Sequence, residues 1–454
     1  MSDPIQNNDC YSALLGALRD LKLETKQEPL TLISEILTQS MSGQWRSFHT
    51  LDHVFNVCKG GDSIEVIAAL FHDVIYMQVD QAININAARF LHDYIEDRNK
   101  TLFIRDIISP EQDPIFKIVL DLFGFHPNDA LNPFSGQNEF ISALLACKLL
   151  DGIAPMSVLA KITACIEATI PFRPASANHV TCSDVLLERL TKLNHELHLG
   201  LSEQDLVDSI KRSVRISNRD VENFASQHPA QFLDETWNLI PETNHDLLRA
   251  NAYTVKQYRI SLQKMEGFLN FLSPALVFKQ YKDEPCDAQF KLLNEKAERN
   301  IRIARLYLGM KLTSIAILES LSLRLGGDVS ISMMMGELPQ EGKTLKTMAD
   351  FLPNITNANV SNDDDEKEVL SLLEEGRHLN TAYDLKNSPI AAYMLKTLGF
   401  QRMKDLLQES KSFFSGQISA EQLITKCPPQ VIQEISNSIL CLFDERKKSL
   451  HIAI

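Results

Sequence analysis

The sequence predicts an all-α protein, and three observations predict it. Apolar residues recur at helical spacing almost throughout, as in Tyr11–Leu23, Ile64–Phe71, Ala87–Ile95, Phe140–Leu150, Ser157–Ala168 and Asp205–Val214. Strict alternation over strand lengths is rare. The breaks between periodic runs are rich in Pro, Gly and Asn, notably FHPNDALNPFSGQN at 125–138 and IPFRPASAN at 170–178.

The elements follow in order. At 454 residues the chain is long enough for two or three domains. Residues 1–45 read as a helical lead-in, and 46–280 hold every cluster with ligand chemistry. A long helix is expected over Asp287–Arg324. Residues 325–344 read as a loop, and Asn354–Lys367, with Asp363, Asp364 and Asp365, as a linker. The rest of 281–454 returns to helical periodicity without recognisable chemistry. It suits a helical module for a protein partner or self-association. No internal repeat is visible.

Composition narrows the function. The chain is 44% hydrophobic and 23% charged, with a net charge of −14. That balance argues against a general nucleic-acid surface, which needs a basic footprint. It leaves room for a nucleotide in one pocket, where a metal ion supplies local positive charge. Eight cysteines contain no CxxC and read as free, mainly buried thiols in a reducing compartment. No secretory signal is visible, and no membrane span is expected because no run of about eighteen apolar residues stands out. The expected location is cytoplasmic, although secretion without a cleaved signal leaves no trace in sequence.

The chemistry concentrates in two segments. RSFHTLDHVFNV (46–57) holds His49 and His53, four residues apart, so a helix containing both would present them on one face. AALFHDVIY (68–76) ends an apolar run on the doublet His72–Asp73. Imidazole is a common metal ligand, and Asp73 adds a carboxylate that binds or bridges. One more carboxylate would complete two His and two Asp, a mixed set suited to a divalent first-row metal.

These residues resemble the HD superfamily of metal-dependent phosphohydrolases, whose ligands run H…HD…D. Arg46–His53 is similar to the R-x-Y/F-H-x-x-x-H opening of a bacterial HD group, and to the H-x-x-x-H of cyclic-nucleotide phosphodiesterases. Phe71–Tyr76 is similar to the F-H-D-x-V/I-Y of that bacterial group. The resemblance covers roughly residues 45–225. It implies an HD-type helical bundle with His53, His72 and Asp73 as metal ligands and His49 as the acid that protonates the leaving oxygen. Asp220 resembles the last metal Asp of the phosphodiesterases, with Phe224 where their motif has Pro. Asp151 in ACKLLDG is the rival fourth ligand, resembling an F-L-D-A-D segment of the bacterial group, and His126 resembles its T-x-x-H; Asp220 is favoured, because it lies in a polar segment where a carboxylate can be aimed. The implied cofactor is a divalent ion, Mn, Mg, Fe, Ni or Zn. The implied activity is hydrolysis of a small phosphoester, a nucleotide among the candidates, by metal-activated water. Arg46 would stabilise phosphoryl charge or orient the motif.

Other residues are weighed against blander roles. Glu167 could orient a ligand or a water, and Arg173 could clamp a phosphate. His92–Asp93 reads as a solvated helix face, and His195 and His198 as surface residues. GELPQEGKT (336–344) has five residues where a phosphate loop needs four, and reads as an ordinary loop. Met333–Met335 most simply cap a core. An HD fold that binds a nucleotide or a protein partner without turnover is the alternative reading.

Overall fold

The computed structural model describes residues 4–109, 111–249, 251–338, 345–355 and 361–450. Among them are twenty α-helices, and helix accounts for 65% of the described residues against 3% strand, so the protein is all-α. The strands form one antiparallel hairpin, Ile95–Arg98 with Thr101–Ile104. Asn99 and Lys100 join them with φ of 56° and 67°, a two-residue turn whose twist suits a hairpin. The helix expected to reach Ile95 therefore stops at Leu91, and His92 closes it. His92 and Asp93 are solvated as expected, but past the helix rather than along its face.

The chain divides into two compact units. The first contains Met1–Asn223 and Ser273–Glu295, the second Phe224–Leu272 and Lys296–Ile454. This division does not follow the segments 1–45, 46–280 and 281–454. Helices Pro4–Asp20 and Gln27–Met41 bury Cys10, Leu14, Leu18, Ile33 and Leu37 in the same core as Val54, Ile67 and Phe71, so residues 1–45 are integral to the first unit.

At the centre of the first unit lies helix Met156–Ala168. It packs against Ser63–Phe71, Pro114–Phe123, Gln137–Leu149 and Glu203–Asp220. Leu159, Ile162, Cys165 and Ile166 join the main core, while Ala160, Ala164 and Ala168 face a second cluster with Leu190, Ile210 and Val214. A helix apolar on all sides is one buried on all sides. The main core includes Leu70, Phe71, Val74 and Ile75 around the His72–Asp73 doublet, which gives the site a rigid base.

The second unit is built from helices that include Pro229–Thr243, Val255–Phe271, Pro389–Leu398, Phe400–Phe414 and the greater part of Asp287–Leu323. Within it the buried Asp384 takes hydrogen bonds from Trp237 Nε1 at 2.7 Å and Lys311 Nζ at 2.9 Å. Asp287–Leu323 forms the expected long helix. It holds an eighteen-residue stretch long and apolar enough for a span, which interspersed polar residues such as Lys311 and Glu319 disguise. That stretch is 89% buried inside the protein, as a core helix would be. Within the expected loop 325–344 a short helix forms at Ile331–Met335, with Met334 buried and Met333 exposed. Residues 339–344 of the GELPQEGKT segment and 356–360 of the linker lie outside the described residues, and a helix already begins at Asp364. Four of the eight free cysteines are buried, Cys10, Cys147, Cys165 and Cys427, fewer than expected.

Candidate metal centre

Three helices bring four side chains together. His53 lies in Leu51–Cys58, His72 and Asp73 end Ser63–Phe71, and Asp220 is the last residue of Glu203–Asp220. One candidate ligand atom from each of His53, His72, Asp73 and Asp220 lies within 4.8 Å of the others, so the cluster could hold a metal ion. The His72 side chain is 1% exposed, while His53 keeps 12% and both aspartates 16%, so the cluster is open to solvent on one side.

The hydrogen bonds orient the donors. His72 Nδ1 lies 2.8 Å from the Ala69 carbonyl oxygen, which can only accept, so Nδ1 carries a proton and Nε2 is aimed at the cluster. Asp220 Oδ1 is 3.1 Å from both His53 Nε2 and His72 Nε2, and Asp73 Oδ2 is 3.0 Å from His72 Nε2. Burial would lower the His72 pKa, but Asp73 and Asp220 raise it well above the usual histidine value. Burial would raise the Asp220 carboxyl, yet the His72 charge and hydrogen bonds from His53 and His72 bring it down to about 2. Asp73 is likewise lowered against its burial, first by His72 and then by His49. Without a cation, a proton on His72 holds the two carboxylates together. Two imidazole nitrogens and two carboxylates, one imidazole oriented by a carbonyl, fit a divalent metal that takes that proton's place.

His49 is placed differently from the one-face expectation. The helix begins at Leu51, so His49 precedes it. The chain bend still sets its ring 5.8 Å from that of His53 and edge-on to Tyr76 at 4.4 Å. His49 is therefore beside the convergent set and outside it.

Arg46 cannot meet a phosphoryl group as placed. Its side chain is fully buried. Nε and Nη2 grip Asp80 at 3.0 and 2.6 Å, and Nη1 donates to the Asp73 carbonyl at 2.8 Å and, at 3.4 Å, to that of His49. A planar fork with five donors suits this task, and here it fixes the backbone of both site segments.

The remaining sequence candidates divide. Asp151 is exposed, because the helix carrying it ends at Leu149 and the chain turns out at Gly152. His126 is 81% exposed, beside Asp129. Neither belongs to the cluster. Glu167 is buried but faces Arg173, whose Nη1 and Nη2 contact its two carboxylate oxygens at 2.5 and 3.1 Å. That pairing takes up the faces of Arg173 that a phosphate clamp would use. His195 and His198 are exposed, as expected.

Three supporting residues escaped sequence reasoning. Glu65 is fully buried and pairs with Arg215 Nη2 at 2.5 Å and Arg219 Nη2 at 2.9 Å, while Arg219 Nε donates to the Val57 carbonyl at 2.7 Å. This bracket ties three helices together beside Asp220. Lys279 Nζ donates to the carbonyls of Ala168 and Ile170 and to Ser217 Oγ, and Asn218 bonds the Lys279 backbone in both directions at 2.8 Å. Burial pushes the Lys279 ammonium down to about 8. Glu139 is the third. Burial raises its carboxyl to about 7, with Asp73 and Asp220 adding to the rise. The available signal was a lone acid within an apolar run, as in SIEVIAALF and NEFISALLA.

Comparison with family models, with curated proteins and with solved structures finds no match among any of them.

Proposed function

We propose that the first unit is an HD-type, metal-dependent phosphohydrolase acting on a small phosphoester, a nucleotide among the candidates. The observation that carries this reading is the convergence of His53, His72, Asp73 and Asp220 at a half-open position, with His49 alongside but outside the set. Mixed nitrogen and oxygen donors favour a divalent first-row ion. Such an ion, when bound, polarises phosphoryl oxygens and acidifies water.

The protein's own residues divide the remaining work. Asp73 and Asp220 supply negative charge, and His53 and His72 supply neutral nitrogen once the His72 proton is displaced. His49 protonates the departing oxygen, a task for which an imidazole, able to give and take a proton, is suited. Arg46 keeps the His49 and Asp73 backbones in register.

The test is elemental analysis of the protein beside its Asp73→Ala variant. Both are then assayed on bis-p-nitrophenyl phosphate and a nucleotide panel with Mn²⁺, Mg²⁺ or Ni²⁺. Near-stoichiometric metal and turnover, both lost in the variant, are expected. Wild-type protein with neither would sink the proposal.

A further inference from the structure

Glu139 is the third residue of helix Gln137–Leu149, and that helix end is docked on the site. Its neighbours hold the chain just after the His72–Asp73 doublet. The Met77 N–H donates to Asn138 Oδ1 and the Ile75 N–H to Ser142 Oγ, each at 3.1 Å. Asn138 Nδ2 also donates to Gln78 at 2.6 Å. Between these two anchoring side chains lies Glu139, close enough to Asp73 and Asp220 for their charges to act on it. It is not a member of the convergent ligand set.

The carboxylate is incompletely partnered. It takes a hydrogen bond from its own backbone N–H, but Oε2 is wholly buried and takes none from the protein. A carboxylate oxygen without a donor is costly in a native interior. Glutamine would remove the charge, and leucine the polarity. A buried acid with an unpartnered Oε2, on a helix end tied to the chain after the His72–Asp73 doublet, is explained if something that carries hydrogen comes to Oε2 when the site is working. Arg173 acts on Glu139 by its charge alone, since its Nη1 and Nη2 are committed to Glu167. A water satisfies the unused Glu139 acceptor.

We propose that Glu139 is the residue that holds and deprotonates the attacking water, through Oε2, without being a metal ligand. The proposal rests on the phosphohydrolase reading above. In the step, the water oxygen forms the new bond to phosphorus and the bond from phosphorus to the leaving oxygen breaks. One water proton passes to Glu139 Oε2, and the leaving oxygen takes a proton from His49. Glu139 then releases its proton to solvent and His49 takes one up, which restores both.

The test compares the full-length protein with Glu139→Gln and Glu139→Asp after loading with Mn²⁺. Metal content, water-proton relaxation by the bound Mn²⁺ and turnover of bis-p-nitrophenyl phosphate or an accepted nucleotide are read together. Glu139→Gln should keep its Mn²⁺ and exchange water at the ion faster. Its turnover should fall by about 100-fold or more, the usual scale for a lost acid–base group. Glu139→Asp should recover part of the turnover. Turnover within threefold of wild type at equal Mn²⁺ overturns the proposal, and so does loss of Mn²⁺ in step with turnover, which would make Glu139 a ligand. If wild type binds Mn²⁺ but turns over no compound tried, unchanged water exchange in Glu139→Gln overturns it. Wild-type protein that binds no metal removes the underlying reading and this proposal with it.

Discussion

Removing the Glu139 charge should stabilise the metal-free protein, and by an amount that grows with pH. Burial and the neighbouring aspartates raise its carboxyl from 4.5 to about 7. The folded chain then holds this proton more tightly than the unfolded chain does. Stability from this group is full below about pH 4.5 and is lost as pH rises through about 7. A gap of about 2.5 units at 1.36 kcal/mol each gives roughly 3 kcal/mol. Glu139→Gln is neutral at every pH and escapes the loss. Urea unfolding in EDTA at pH 5, 6, 7 and 8 measures it, using the transition whose midpoint moves when metal is restored. The variant's advantage over wild type should grow from about 1 kcal/mol near pH 5 to about 3 kcal/mol at pH 8. Groups common to both proteins cancel in the difference. A difference that is flat across this range, or that favours wild type at pH 8, would refute the argument.

Further predictions concern the frame around the cluster. Arg46→Ala should lower stability by about 3 kcal/mol or more, because it leaves buried acceptors unpaired. Arg46→Lys should recover little of it in thermal melts, since an ammonium cannot form the same fork. Glu65→Gln should weaken metal affinity by about 10- to 100-fold in calorimetric titration, because Arg215 and Arg219 lose the anchor that holds the helix end at Asp220. His49→Ala should retain metal but lose about 100-fold or more in turnover, and metal loss equal to that of Asp73→Ala would contradict its place outside the ligand set. Asp151→Ala should leave metal content unchanged and alter stability by no more than about 0.5 kcal/mol.

The parts of the site that could be read in the sequence are those announced by local pattern. His72 and Asp73 end an apolar helical run, and the structure places them at that helix's C-terminus. Asp220 could be read because a polar segment ends an amphipathic helix. Asp151 ends an apolar run in much the same way, and only the helix stop at Leu149 turns it outward. What could not be read was pairing across long stretches of chain. Glu65 meets Arg215 and Arg219 about 150 residues later, and no spacing rule reports that. For Arg46 the sequence leaves both phosphoryl charge and orientation of the motif open, because the acceptors that decide for orientation, Asp80 and the carbonyls of His49, Asp73 and Val74, are brought to it only by the fold. The hairpin was missed because Lys100 in the left-handed region is an unusual turn residue. The two-unit division was hidden for a related reason. Residues 224–272 leave the first unit and 273–295 return to it, and helical periodicity is the same on either side of both crossings.

That return has a consequence for the order in which the site is made. Asp220, the last of the four clustered residues, is synthesised before the chain departs for the second unit. Yet Lys279 and its backbone, which hold Ser217 and Asn218, arrive only after the excursion. A nascent chain stopped at residue 223 would carry all four clustered residues and lack the clasp next to the last one. If the cluster holds a metal as proposed, a ribosome-bound intermediate should acquire its full metal affinity only after residues beyond 272 emerge.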